Sequence, residues 1–331
     1  MITVTAPGKA VLSGEYAVLE GAPAISTAVN RRARVSIANS STAEHCITTP
    51  GYLEGSWRFR MSDTGDMEWL QPLPEATAFS LVEGIWRSFD TTDWPELSVT
   101  VDTQAFRDTG TGLKYGLGSS AAVAAALAAA LHSFSAAELD FDRIAYDAHG
   151  RFQGGRGSGV DIATSLHGGL IEYRRGGAAA LQLRWPEGLR YQFLWSGQAV
   201  ATPAILAKLA EGRSNANSRR LLSGCAEAIA NAWSTGDCRE ILRSFPTYID
   251  ALQQFSVDHD LGIFDAGHEG LVQVAADAGV VYKPCGAGGG DMGVVLTDNR
   301  DAMTAFCEQA AQQGFQALDL EAGAPGVEVS D

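Results

Sequence analysis

Residues 112–131 read GLKYGLGSSAAVAAALAAAL. Glycines at 112, 116 and 118 and a pair of serines, Ser119 and Ser120, run straight into alanine, valine and leucine. Glycine lets a backbone turn with positive φ and approach a ligand closely. A helix that starts at such a turn presents unpaired N–H groups beside its positive dipole end. That combination is an anion site, and phosphate is its usual occupant. The two serines can cap the helix and can also meet a phosphate-bound Mg2+. The run that follows has high helix propensity and side chains small enough to pack deep in a core. It is not a Walker loop, because Lys114 precedes the glycines instead of closing them. The same residues also suit a glycine turn on a buried helix with no ligand, so neighbouring segments must decide.

Composition narrows the choice. A chain of 331 residues suggests about two domains, and 46% hydrophobic with 19% charged residues describes a globular protein with a sizeable core. A formal charge of −15 argues against a surface that coats nucleic acid, while leaving room for a local basic pocket. The five cysteines (46, 225, 238, 285 and 307) form no CxxC pair and no metal-ligand spacing, which fits a reduced, cytoplasmic protein without structural zinc. MITVTAPGKAVL is too short and interrupted in its apolar part for a signal peptide, and no stretch reads as a membrane span.

Strand-like and helix-like segments interleave along the chain. ITVTA alternates and stops at Pro7-Gly8, predicting a short edge strand and a turn. Helical spacing runs from Thr77 to Phe89, β alternation returns in LSVTVD at 97–102, and a further helix is expected near 136–150. GGLIEYRRG at 168–176 opens with a glycine pair before a strand, and the expected division falls there, into 1–168 and 169–331. Further on, YQFLWSG reads as a strand, PAILAKLAEG and SRRLLSGCAEAIANAWSTG as helices, and GVVYKPCGAGGGDMGVVLTD as strand, glycine loop, strand. Fold class is therefore mixed α+β in two lobes.

Two of these segments raise the weight of the first. APGKAVLSGEYAVLEGAPA at 6–24 sets Lys9 after a Pro-Gly turn, and KPCGAGGGDMGVVL at 283–296 can gather backbone amides on one surface. In this order and separation the three segments resemble the signatures of the GHMP kinase superfamily, over nearly the whole chain. Details resemble the phosphomevalonate kinase family within it: Lys114 ahead of Gly116-Leu117-Gly118-Ser119-Ser120, Gln153-Gly154-Gly155-Arg156-Gly157-Ser158-Gly159-Val160-Asp161, Trp195-Ser196-Gly197, and Lys283 through Asp291. A galactokinase-type GEHxDY and a homoserine kinase-type SANLGPGFD are missing.

The resemblance implies an N-terminal lobe like ribosomal protein S5 domain 2, a ferredoxin-like αβ C-terminal lobe, and transfer of the γ-phosphoryl group of ATP to the 5-phosphate of mevalonate. It implies Lys9, Lys114 and Asp161 as catalytic residues. Gly116, Leu117, Gly118, Ser119, Ser120 and Ala121 would bind ATP, with Ser119 or Ser120 on Mg2+. Ser158, Asp161, Thr202, Ala287, Gly288 and Gly289 would meet the acceptor, and Lys114 would hold the acceptor phosphate or the migrating phosphoryl group. Arg156 would assist. The chain is expected as a monomer or homodimer with small-molecule partners.

Asp161 matches the aspartate usually given the role of general base in relatives that phosphorylate an alcohol. A phosphate monoester has a second pKa of about 6 and is mostly a dianion at neutral pH, so it hardly needs a base. Asp161 is then expected to orient substrate. One departure stands out: mevalonate kinases carry a glutamate metal ligand before that aspartate, and this chain has His149-Gly150-Arg151-Phe152-Gln153 there. The alternatives are mevalonate kinase or another small-molecule kinase of the superfamily, a decarboxylase of the same superfamily, and a nucleotide-binding regulator without catalysis. Arg213, Arg219 and Arg220 read as a solvated helix face in preference to a phosphate clamp.

Overall fold

The computed structural model describes residues 1–135, 138–177, 180–200, 202–211 and 215–330, with positions 202, 203 and 211 described by backbone only. The chain opens with two long strands, β1 (Ile2–Ser13) and β2 (Ala24–Asn39). The hairpin β3 (His45–Thr49) and β4 (Leu53–Met61), the short β5 (Met67–Trp69), helix α1 (Ser80–Trp86) and β6 (Leu97–Asp102) follow. Helices α2 (Ser119–His132), α3 (Phe141–Phe152) and α4 (Val160–His167) then cover the sheet before β7 (Leu170–Tyr173) and β8 (Leu181–Leu183).

The second half begins with β9 (Arg190–Trp195) and helices α5 (Thr202–Glu211), α6 (Ala216–Thr235), α7 (Cys238–Asp258) and α8 (His268–Ala278). It continues through β10 (Val281–Pro284), β11 (Met292–Thr297), α9 (Arg300–Gln312), β12 (Gln316–Leu318) and β13 (Glu328–Ser330).

The first sheet has the order β13-β1-β2-β6-β3-β4-β5, with β7 on β2 and β8 on β7; the second has the order β10-β11-β9-β12. Numbered within their own βαββαβ run, β9, β10, β11 and β12 take the order 4-1-3-2 read from the β12 edge, and every neighbouring pair is antiparallel. This is the ferredoxin-like arrangement. The change of sheet comes after Leu183, later than the division expected at 168/169, because β7 pairs with β2 and the chain end returns as β13 beside β1.

β1 corrects the expectation of a short edge strand. It runs on through Pro7-Gly8 to Ser13, and its pairing with β2 slips there, Pro7 opposite Arg32 and Gly8 opposite Val29. A bulge tolerates a residue with no N–H donor, so the strand bends and continues. Lys9 thereby sits inside a strand. Gly8 is needed for another reason: a Cβ there would lie 2.7 Å from the Leu117 carbonyl oxygen and 2.8 Å from the Phe106 ring.

Helix α2 is buried on every side from Ala121 to Leu131. A helix apolar all round belongs in a core, and alanine lets sheet and helices close onto it. It therefore acts as a fixed mount for the turn at its N-terminus.

Candidate active site

The turn before α2 has Gly116 and Gly118 at φ +80° and +74°. Gly118 is the N-cap, and no side chain caps the helix. The expectation that a serine caps it is thus corrected, since the Ser120 hydroxyl lies 3.1 Å from Nε2 of His149 instead. Among the described residues the N–H groups of Ser119 and Ser120 have no backbone acceptor, as an anion site requires, whereas those of Ala121 and Ala122 donate to the Gly118 carbonyl at 3.1 and 3.2 Å. Leu117 and Ala121 are buried, so their side chains cannot take part. The Leu117 carbonyl accepts a hydrogen bond from the Lys9 N–H at 2.9 Å, which ties the turn to β1.

Lys9 is the centre of the site. Its Nζ lies 3.3 Å from Oδ1 of Asp161 in the first turn of α4. A Cβ on Gly118 would come within 3.1 Å of Lys9 Cε, and one on Gly286 within 3.4 Å of Lys9 Nζ. The ammonium therefore stands between the second and third glycine loops. Burial works against its charge, but attraction to Asp161, with smaller help from Cys285 and Asp291, raises its pKa above the ordinary value. His149 has its pKa lowered by burial, so the ring beside Ser120 is neutral at pH 7.

Two cavities flank this centre. One is bounded by Lys9, Tyr16, Ser158, Asp161, Gly286 and Ala287. The other is mostly apolar, with Tyr52, Phe79, Val82 and Phe152 as walls and Lys114, Ser119 and Ser120 at its polar end. Tyr52 and Phe152 are half exposed at its mouth. A mostly apolar cavity that reaches the N-terminus of a helix suits a nucleotide, base among the apolar walls and phosphates at the serines. Composition and spacing do not reveal these walls. They come from the β3–β4 turn, α1 and α3, and nothing in the sequence marks them as neighbours.

The expected site residues divide between the cavities. Ser158, Asp161 and Ala287 join Lys9 in the first, and Ser119, Ser120 and Lys114 meet in the second. Lys114 is held below its ordinary pKa by burial and by Arg107, while Asp291 pulls the other way. Gly288 and Gly289 line neither cavity: a Cβ on Gly288 would lie 2.5 Å from Ile263, and the Gly289 N–H donates to the Ile263 carbonyl at 2.8 Å. They let the third loop dive into the C-terminal lobe. Thr202 opens α5, but its side chain lies outside the described atoms, as does Arg213 altogether. Arg156 is exposed on the loop before Ser158, and Arg219 pairs with Glu20.

Asp291 was not among the expected site residues. It adopts φ +52°, its Oδ1 accepts from the Val200 N–H at 3.1 Å, and its carboxyl group fills the space where Gly116 has no Cβ. Burial pushes its pKa up to about 6, against the pull of the Val200 N–H, Lys9 and Lys114. Cys285 in the same loop is buried and its thiol is pushed up to about 11, so it is an unreactive filler.

Among the described residues no group of three or more His, Cys, Asp or Glu side chains could hold a metal ion. Mg2+ is commonly held by one or two protein oxygens and by substrate phosphates, and the Ser119 and Ser120 hydroxyls are oxygens of that kind in the second cavity. Nor is any helix among the described residues long and apolar enough to cross a membrane.

Two lobes, an amide-rich turn and a lysine between two cavities define a small-molecule phosphotransferase. The chain belongs to the GHMP kinases: residues 81–169 match the family's N terminal domain, and a Streptomyces phosphomevalonate kinase is 30% identical over 88% of this chain and 89% of its own. Bovine mevalonate kinase is 26% identical over 99% of this chain and 95% of its own. The structure of Streptococcus pneumoniae phosphomevalonate kinase in complex with phosphomevalonate and AMPPNP has the same fold, with a TM-score of 0.76 at 19% identity over 97% of this chain and 100% of that one.

Proposed function

We propose that this chain transfers the γ-phosphoryl group of ATP to the 5-phosphate of mevalonate, yielding mevalonate 5-diphosphate and ADP, as a step of isoprenoid precursor synthesis in the cytoplasm. The observation that carries this reading is the seat of Lys9 between the two glycine loops. From there its ammonium reaches the wall of the acceptor cavity, while Lys114 stands at the phosphate end of the nucleotide slot. Phosphoryl transfer to an anion needs positioning and charge neutralisation more than proton removal, and two flanking ammonium groups supply both.

In this reading the turn amides of Gly116 to Ser120 bind the ATP phosphates, while the Ala121 N–H is already taken by the Gly118 carbonyl. Mg2+ would arrive with the nucleotide and be held by Ser119 or Ser120, where it neutralises the phosphate charge. Lys9 bridges acceptor phosphate and transferred group, and Asp161 holds Lys9 in place at 3.3 Å. Asp161 then acts by orientation, because the acceptor phosphate dianion is already a nucleophile. Lys114 approaches the migrating group from the nucleotide side, and Ser158 and the Ala287 backbone bound the mevalonate portion.

Mevalonate kinase activity is the second reading, favoured by the bovine relative that spans almost the full chain. An ADP-release assay with Mg·ATP across phosphomevalonate, mevalonate, diphosphomevalonate, homoserine and galactose separates the two. Turnover is expected with phosphomevalonate. Turnover of mevalonate without turnover of phosphomevalonate would overturn the proposal.

A further inference from the structure

The acceptor cavity is closed on one side by a buried ion pair, of which Glu15 lines the cavity and Lys283 does not. Glu15 and Lys283 form an ion pair at 2.5 Å with side chains 2% and 0% exposed. Glu15 follows β1 in the first lobe; Lys283 lies in β10 of the second. The second carboxylate oxygen of Glu15 accepts from the Tyr248 hydroxyl of α7 at 2.5 Å, and that hydroxyl accepts from the Gly14 N–H at 2.7 Å. Every strong partner of this charge pair therefore lies in the seam between the lobes.

One residue further on, Tyr16 adopts φ +61°, a conformation a tyrosine keeps only where its surroundings hold it. Its hydroxyl donates to the Ala287 carbonyl of the third glycine loop at 2.5 Å. Tyr16 and Ala287 are walls of the acceptor cavity. The turn is packed closely against the start of β2, where a Cβ on Gly14 would lie 2.2 Å from the Pro23 carbonyl oxygen.

Burying two charges costs solvation that their attraction seldom repays, and replacing such a pair by neutral groups is often tolerated in stability. Stability alone thus does not account for a buried pair at this place. We propose that the Glu15–Lys283 pair, held by Tyr248, is a positioning element for phosphoryl transfer: it clamps the Gly14–Tyr16 turn onto the third glycine loop and so fixes the acceptor cavity. Neither Glu15 nor Lys283 reacts. Lys283 acts through Glu15, Tyr16 and Ala287, all three walls of the cavity, and neither member of the pair lines the nucleotide slot built from β3–β4, α1 and α3. The assignment of the acceptor side rests on the function proposed above.

Glu15→Gln alone leaves Lys283 buried and unpaired and is expected to fold poorly, so the test uses the neutral pair Glu15→Gln/Lys283→Met beside Tyr16→Phe. The double variant is expected to melt cooperatively, to raise KM for phosphomevalonate by on the order of tenfold or more, and to change KM for ATP by less than about twofold. Tyr16→Phe, which loses one hydrogen bond, should raise the acceptor KM by about fivefold. Hydrogen exchange of residues 286–290 should quicken in both variants without any substrate present. Wild-type acceptor KM in the double variant, or equal rises for acceptor and ATP, overturns the proposal, and so does unchanged exchange in the loop. The exchange measurement needs no acceptor, so a wild-type protein inactive on phosphomevalonate would sink the proposed function while the clamp is still decided by exchange.

Discussion

Gly118 shows how little room the transfer point has. Its φ of +74° is the left-handed region, and a Cβ would stand 3.1 Å from Lys9 Cε and 3.7 Å from Asp161 Oδ2. Gly118→Ala is therefore expected to cost about 1 kcal/mol in backbone strain and, by displacing Lys9, to lower kcat at least about tenfold; steady-state kinetics beside a thermal melt separates the two. Lys9→Ala should abolish nearly all turnover, whereas Asp161→Asn, which keeps the shape of an orienting partner, should retain more. The reverse order would point to an alcohol acceptor and a true general base. Lys114→Ala is expected to lower kcat strongly and to raise KM for ATP, because Lys114 stands with Ser119 and Ser120. An effect on the acceptor KM alone would move it across the site. Lys9, Lys114, Ser119, Ser120 and Asp161 could be named from the sequence because each lies in a glycine-containing segment that resembles a family motif. Asp291 and Tyr16 belong to the same quoted segments but have no pattern of their own; only the approach of the lobes gives them partners.

At the scale of elements, α2 carries the site on a helix with no solvent face. Ala125 is 0% exposed among other small residues, so Ala125→Leu inserts volume where none is free. It is expected to destabilise the fold by about 1–3 kcal/mol, measurable by denaturant unfolding, with the strain propagating to the Gly118 turn. The alanine run made this helix legible at once. β1 was less so: Pro-Gly is a turn signal in local chemistry, and it became a bulge because β2 supplied a partner on both sides of the slip. The apolar slot was illegible for a related reason, since Tyr52, Phe79 and Phe152 come from three separate segments with no shared periodicity.

The whole molecule places two buried titrating groups in opposition. Asp291 has its pKa raised from 3.8 to about 6, so the folded state binds its proton more tightly than the unfolded chain, and ionisation costs stability as pH rises from about 4 to 6. His268 is lowered from 6.5 to about 4 by burial, though the Gly290 carbonyl favours its charge; its contribution is present above pH 6.5 and lost as pH falls towards 4. Each is worth at most about 3 kcal/mol. Asp291→Asn removes the first and leaves the second. Its melting temperature should exceed that of the wild type at pH 7.5 and fall more steeply on acidification, the two curves converging near pH 4. Parallel curves would remove Asp291 from this role.

By itself the sequence determined the mixed α+β class and the glycine turn on its helix, because those depend on backbone freedom and helix propensity, which act over a few residues; the family came from the resemblance of three glycine-rich segments, in their order, to known signatures. What the tertiary structure alone decided is the sharing-out of the site. It put Lys114 beside Ser119 and Ser120 in an apolar slot and Lys9 between two glycine loops. It also joined Glu15 to Lys283 across 268 residues of chain. Side-chain placement of that kind depends on how two sheets meet, and no local pattern along the chain encodes the distance between them.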